Sequence, residues 1–280
     1  MRKLVVVQAR TGSTRLPGKV MLPVAGAPLL LRMLERVLAA RASFDLVVAT
    51  TDRSEDDALA ERVRRFGVRV FRGHAQDLLD RHYRAALEAR AEAVVKIPSD
   101  CPLVDPVAIE QVLGLFDASP GRYDFVSNLH PASWPDGNDV ELVTMEALEQ
   151  AFREARGSHE REHTTPFVWD RPERFRIGNV SWPGGRDLSL SHRLTLDYAD
   201  VYAVVAAVYA ALWRRERPVF PLEEILALLD ERPELAQKNA RYAGVNWYRH
   251  HLGELRTVGP EATRAEPKER ASSAPLEVQP

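Results

Sequence analysis

The stretch with the densest chemistry comes early, in ARTGSTRLPGK at positions 9–19. It gathers three cations (Arg10, Arg15, Lys19), three hydroxyls (Thr11, Ser13, Thr14) and two glycines (Gly12, Gly18). Glycine lets a ligand approach the backbone closely and meet its N–H donors. Arginine offers a planar fork to phosphate oxygens, and lysine a compact charge. Together these groups can hold a triphosphate and stabilise the charge that builds on a leaving pyrophosphate. On composition alone, a polar surface loop with a proline turn competes with this reading. Two known phosphate motifs are absent. Gly12 and Gly18 are one residue too far apart for a Walker A loop, and Val20, not Ser or Thr, follows Lys19. No Gly-x-Gly-x-x-Gly follows a strand either.

Such a loop needs a rigid edge to sit on. The β-branched run Leu4–Val7 just before it predicts a buried parallel strand, and Leu46–Thr50 and Ala93–Ile97 predict two more. Helical patterns lie between them. Leu29–Ala40 carries Leu30, Met33, Leu34, Val37 and Leu38 on one face. Ser54 is placed to cap the next helix, with Asp57 imitating a capping box. Asp77–Ala89 is a third helix, and Asp105–Pro106 opens a fourth. The alternation predicts an α/β fold with a doubly wound, mostly parallel sheet, whose ligands bind beyond the carboxyl ends of the strands.

The pattern then changes. Residues 120–185 read as a small β-rich insertion, with strands at Asp124–Ser127, Val140–Val143 and 174–180, and a helix from Thr144 to about Arg156. Residues 193–196 read as a further strand, and Asp200–Arg214 as a helix. Two short helices follow near 222–230 and 234–240. The domain therefore spans 1–255, and the Pro-, Ala-, Glu- and Ser-rich stretch 256–280 reads as a disordered tail.

The composition, 45% hydrophobic and 28% charged over 280 residues, allows a sizeable core. A net charge of −2 provides no global basic field for nucleic acid. The single cysteine, Cys101, excludes an intrachain disulfide and a cysteine zinc cluster, fits a reducing compartment, and reads as a packing residue. The apolar run in MRKLVVVQAR is too short for a signal peptide. Val201–Trp213 is well under the roughly 18 residues that a membrane span needs. A cytoplasmic location with no nucleic-acid or membrane partner is the expectation.

Three further segments carry paired acids and cations: FRGHAQDLLDRHYRAA (71–86), KIPSDCPLVDP (96–106) and RLTLDYADVYAVV (193–205). With LVVVQARTGSTRLPGKVMLPVAGAPLL they resemble the cytidylyltransferase family that includes CMP-KDO and CMP-acylneuraminate synthetases, in its SpsF-like, spore-coat polysaccharide branch. The likeness runs to about residue 205. It implies a glycosyltransferase-A, nucleotide-diphospho-sugar transferase-like fold and a homodimer, with the β insertion a dimerisation element. It implies that Ala9, Arg10, Gly12, Ser13, Arg15 and Lys19 hold the nucleotide's phosphates, with Arg72, Asp77 and Arg81 toward base and ribose. It further implies that Asp100 binds Mg2+ and that Asp197 completes the metal site. Magnesium favours hard oxygens and often takes one or two carboxylates besides phosphate and water. The alternative for Asp197 and Asp200 is helix capping, a role given to Asp200. Arg81 is equally a solvated helix residue. His74 and His82 lack metal-like spacing and read as surface residues.

Two segments look typical of the SpsF-like branch and depart from the KDO and neuraminate enzymes. WPDGNDVEL (134–142) offers Asp136, Asn138, Asp139 and Glu141, and EREHTTP (160–166) offers Glu160, Arg161, Glu162 and His163, of which Arg161 or His163 suits a carboxylate. They are the candidate acceptor contacts, with Asp136, Asn138, Glu141, Glu162 and His163 as binders. His163 is also a possible base near neutral pH. A dimer contact or a surface ion-pair network is the competing reading.

The expected reaction joins CMP from CTP, or another nucleotide from its triphosphate, to a sugar or sugar acid with release of pyrophosphate. Lys19, Arg10 and Asp100 are the catalytic candidates. A glycosyltransferase using a nucleotide-sugar, and a non-catalytic nucleotide or sugar binder, are the rivals.

Overall fold

Leu4, Val5, Val6 and Val7 are all sealed from solvent. Successive strand residues point to opposite faces, so this strand must be covered on both sides. The computed structural model, which describes residues 1–267, covers it with two apolar layers. Val5 and Val7 join one core with Leu30, Met33, Leu34, Ile109 and Val205, while Leu4 and Val6 join a second with Leu79, Ala86, Leu148 and Val168.

In chain order the strands are β1 (Lys3–Gln8), β2 (Pro23–Val24), β3 (Ala27–Pro28), β4 (Asp45–Thr51), β5 (Arg69–Gly73), β6 (Ala93–Pro98), β7 (Phe125–Ser127), β8 (Glu141–Thr144) and β9 (Ile177–Asn179). The helices are α1 (Leu29–Leu38), α2 (Asp57–Arg65), α3 (Leu78–Ala89), α4 (Pro106–Asp117), α5 (Met145–Glu154), α6 (Ser158–His163), α7 (Pro166–Trp169), α8 (Ala199–Leu212), α9 (Leu222–Glu231) and α10 (Pro233–Asn239). β2 and β3 form a small antiparallel ribbon that the sequence reading missed. The other seven make one sheet in the order β5-β4-β1-β6-β8-β7-β9. β8 alone runs against its neighbours β6 and β7. The expected doubly wound, mostly parallel α/β sheet is what forms.

Three predicted helix starts are made as expected. Asp77, Asp105 and Thr144 each accept a hydrogen bond from a first-turn backbone N–H, as N-caps do. Others differ. Ser54 opens a 3-10 turn, Ser54–Asp56, and caps nothing. α8 begins one residue before Asp200, with Tyr198 at the cap position, and Asp200 instead pairs with Arg241 at 2.6 Å. Residues 193–196 form no strand, but Arg193 makes an isolated bridge to Asp136.

The β-rich stretch 120–185 is not a separate insertion. Its strands β7, β8 and β9 extend the main sheet, because β8 takes up the free edge of β6. His82, expected at the surface, is fully buried on the inner side of α3. Burial pushes its imidazole down to about 3, so the ring is neutral, and its Nδ1–H donates to the Leu78 carbonyl at 2.8 Å.

The chain end also departs from expectation. The backbone N–H of Thr257 donates to Asp170 Oδ1 at 2.8 Å, the Arg264 N–H to the Gly244 carbonyl at 2.8 Å, and Arg249 meets Glu266 at 2.9 Å. Residues 256–267 are therefore held by polar contacts that composition does not reveal. The rest of the expected tail, 268–280, lies outside the described residues. Among the described residues, no helix is long and apolar enough to cross a membrane.

Candidate active site

The first loop is shaped by Thr11. Its N–H and hydroxyl both donate to the buried Asp56 carboxylate, at 2.8 and 2.7 Å, and its carbonyl accepts from the N–H groups of Ser13 and Gly18, both at 2.9 Å. Gly18 takes the left-handed conformation, φ 68°, that residues with a Cβ seldom adopt. The chain thereby turns inward at Lys19, which is buried.

Lys19 Nζ lies 2.9 Å from Asp197 Oδ1, 3.3 Å from Asp100 Oδ2 and 2.7 Å from the Leu196 carbonyl. Burial acts to lower its pKa, but Asp100 and Asp197 outweigh burial and hold it above the usual lysine value. Asp100 follows the end of β6, and its carbonyl accepts the Leu196 N–H at 2.7 Å, which fixes residue 197 beside it. Asp197 is ringed by cations. Its Oδ2 meets Arg15 at 3.0 Å and Arg193 at 2.8 Å. Burial would raise its pKa, but Lys19, Arg15 and Arg193 prevail and hold the carboxyl below the usual range.

Arg193 is the functional-region residue that the sequence reading missed. It is buried, and it also grips Asp136 at 2.8 Å. The signal was available, since Arg193 stands four residues before Asp197 in RLTLD. Gly137 is needed at the same crossing. Its φ is 105°, and a Cβ there would stand 2.7 Å from the backbone of Leu194 and Thr195.

These groups line a cleft of about 1170 Å³ that also takes in Ala9, Arg10, Ser13, Arg81, Asp139, Glu141, Glu162 and His163. At another part of it, Lys96 donates to Glu141 at 2.6 Å and to the His163 carbonyl at 2.9 Å, while Thr165 also donates to Glu141. Aromatic rings form a wall there. His163 stacks on Trp247 and His130 on Trp169, with centroids 3.9 and 4.0 Å apart, and Tyr248 packs against Trp247 at 4.7 Å. Burial, helped by Lys96, holds His163 well below the usual histidine range, which makes it a weak base near neutral pH. Asp139 and Glu162 have no ion-pair partner among the described residues. Burial, then Asp136 and Asp100, raise the Asp139 carboxyl to about 8.

Four of the predicted site residues are engaged in holding the fold. Arg72 donates to the Thr51 carbonyl at 2.9 Å and pairs with Asp57, away from the cleft lining. Asp77 caps α3 and accepts from Arg161 Nε at 2.8 Å. Arg81 reaches the cleft, but its guanidinium donates to the carbonyls of His74 and Ala75. It is buried, not the solvated residue that was the alternative, and burial followed by the nearby Arg10 lowers its pKa to about 10. Asn138 is buried between Asp105 N–H and the Pro135 carbonyl. Gly12 lies beside Glu55, outside the cleft lining.

Asp100 and Asp197 offer the hard oxygens that magnesium takes. Among the described residues, Asp100 Oδ1 accepts a hydrogen bond only from the Cys101 thiol, at a long 3.9 Å, which leaves it able to take a cation. Asp197 can become a ligand once Lys19 or Arg15 turns toward another anion, because both of its oxygens are engaged. A triphosphate is such an anion, so the donor set fits the ion in the company of its nucleotide.

A family model described as cytidylyltransferase matches residues 4–247. The chain belongs to the cytidylyltransferase family. The spore coat polysaccharide biosynthesis protein SpsF of Bacillus subtilis is 30% identical over 238 residues, covering 83% of this chain and 96% of that protein. An 8-amino-3,8-dideoxy-manno-octulosonate cytidylyltransferase of Shewanella piezotolerans is 34% identical over 128 residues, 44% of this chain and 51% of that enzyme. Among solved structures, a cytidylyltransferase from Leptospira borgpetersenii superposes with a TM-score of 0.79 at 32% identity, covering 85% of this chain and 97% of that one. Membership accounts for the first loop, Asp100 and Asp197 falling within one matched domain, and it agrees with the resemblance read from ARTGSTRLPGK.

Proposed function

We propose that this cytidylyltransferase family member transfers CMP from CTP to a sugar hydroxyl, releasing pyrophosphate, in the making of a surface polysaccharide. The observation that carries the reading is the Lys19 ammonium held between Asp100 and Asp197 on the wall of one large cleft. Arg10, Arg15 and Lys19 bind the triphosphate and neutralise charge on the departing pyrophosphate. The acceptor oxygen forms a bond to the α-phosphorus, the bond to the β-phosphate oxygen breaks, and the acceptor proton passes to solvent. Positioning and charge neutralisation supply most of the rate, as in phosphoryl transfer generally. Magnesium, held by Asp100 and Asp197, supplies Lewis-acid charge neutralisation when bound.

The aromatic wall of Trp247, Tyr248 and Trp169 suits the apolar face of a sugar ring, and Glu162 and Asp139 suit its hydroxyl or amine groups. Asp136 is the weaker acceptor candidate because Arg193 and Thr195 already engage it. The same reading makes the chain a cytoplasmic homodimer, a state that light scattering on the purified protein checks.

The test is pyrophosphate release with each of four nucleoside triphosphates, magnesium, and a panel of sugar acids, aminosugars and neutral sugars. Release with CTP and one acceptor class is expected. Release of a nucleoside diphosphate from a sugar nucleotide would mark a glycosyltransferase instead, and binding with no turnover would mark a non-catalytic binder.

A further inference from the structure

We propose that the chain carries a second metal site, for a zinc-class divalent ion, built from His159, His251 and Glu254. His159 lies in α6, while His251 and Glu254 follow the 3-10 turn Trp247–His250. One ligand atom from each lies within 4.8 Å of the other two. Three atoms so spaced share a centre no more than about 2.8 Å away, so an inward shift of about 0.7 Å reaches the roughly 2.0–2.2 Å of zinc–nitrogen and zinc–oxygen bonds.

His251 Nδ1 stands 2.7 Å from Glu254 Oε1. The His159 side chain is only 9% exposed, and its Nδ1 faces Glu254 Oε2 at 3.2 Å. That nitrogen is sealed from solvent and makes no hydrogen bond of acceptable geometry. A buried polar atom left in this state is costly, and a metal ion at the centre of the three groups would engage it. Two imidazoles and one carboxylate select zinc-class ions, whereas magnesium takes oxygen. The ion would tie α6 to the segment that carries Trp247 and Tyr248 into the cleft wall, so it would act as a structural clasp.

The experiment uses the full chain, freed of metal by a chelator and dialysed against micromolar Zn2+ in millimolar Mg2+. One zinc per chain is expected, with a rise of about 5 °C in the melting midpoint. Glu254 is half exposed, so Glu254→Gln spares the fold; it should weaken zinc binding at least tenfold and abolish the thermal shift. His251→Ala should do the same, while Asp100→Asn should bind zinc as the parent does. Failure to retain zinc, or retention unchanged in both Glu254→Gln and His251→Ala, overturns the proposal.

Discussion

Lys19 and Asp197 are 178 positions apart in the chain and 2.9 Å apart in the fold. A buried ammonium this close to a buried carboxylate joins the first loop to the segment before α8, and it sets the cost of changing either.

Lys19→Ala should lower kcat/KM for CTP by about 10²- to 10⁴-fold, because it removes charge facing the leaving pyrophosphate. Asp100 loses its cation, while Asp197 keeps Arg15 and Arg193. The stability loss should therefore be about 1–3 kcal/mol, below the roughly 3–5 of a buried charge left wholly unpaired. Pyrophosphate release and urea unfolding measure the two effects. Parental turnover would show that the loop does not hold the phosphates.

Asp100→Asn keeps the shape of the side chain and removes its charge. The magnesium concentration giving half-maximal rate should rise at least tenfold. An unchanged magnesium titration would reject Asp100 as a ligand.

Asp139 should make stability fall as pH rises. Its carboxyl is raised to about 8 in the fold from 3.8, so between those values the folded chain holds a proton that the unfolded chain has lost. Stability contributed by this group is present below about pH 4 and is lost as pH climbs toward 8. Asp139→Asn should flatten this decline, giving a gain on the order of 1–2 kcal/mol at pH 8 and little at pH 4. Urea unfolding at both pH values checks it; an equal gain at each would contradict a raised carboxyl.

Gly137→Ala puts a Cβ 2.7 Å from the Leu194 backbone at a φ of 105°. Neither neighbour is a flexible side-chain end, so the 193–197 segment must shift and carry Asp197 with it. We expect a loss of about 2–4 kcal/mol and turnover at least tenfold lower, read by thermal unfolding and pyrophosphate release. Parental stability and rate in this variant would show that the crossing tolerates a side chain.

The parts of the fold legible in the sequence were those specified locally. β1, β4 and β6 announced themselves as β-branched runs, and Asp77, Asp105 and Thr144 as helix caps. The meeting of Lys19, Asp100 and Asp197 was legible through the family resemblance and, for Asp100, through its place just past β6; the strand expected before Asp197 does not form. What stayed hidden depends on distant partners. Arg193 stands four residues before Asp197, but its grip on Asp136, 57 positions away, shows only in the fold. Trp247 and Tyr248 come from beyond the helices and join the cleft wall where Trp247 stacks on His163 of α6 and Tyr248 meets Trp169 of α7 edge-on. Arg72, Asp77 and Asn138 have the chemistry of ligand binders, yet local carbonyls, N–H groups and ion pairs occupy them.

The packing of residues 256–267 has a practical consequence for anyone shortening the chain. Glu266 accepts from the Tyr198 hydroxyl, and that ring is the one beneath the Arg15 guanidinium, 5.3 Å from its centroid. Trimming after Leu255, where composition invites the cut, would delete Thr257, Glu261 and Glu266 from the rim of the cleft. A truncated protein tested for weak nucleotide affinity would then report the damage done by the scissors, because the cut removes Glu266 from the Tyr198 hydroxyl beside Arg15.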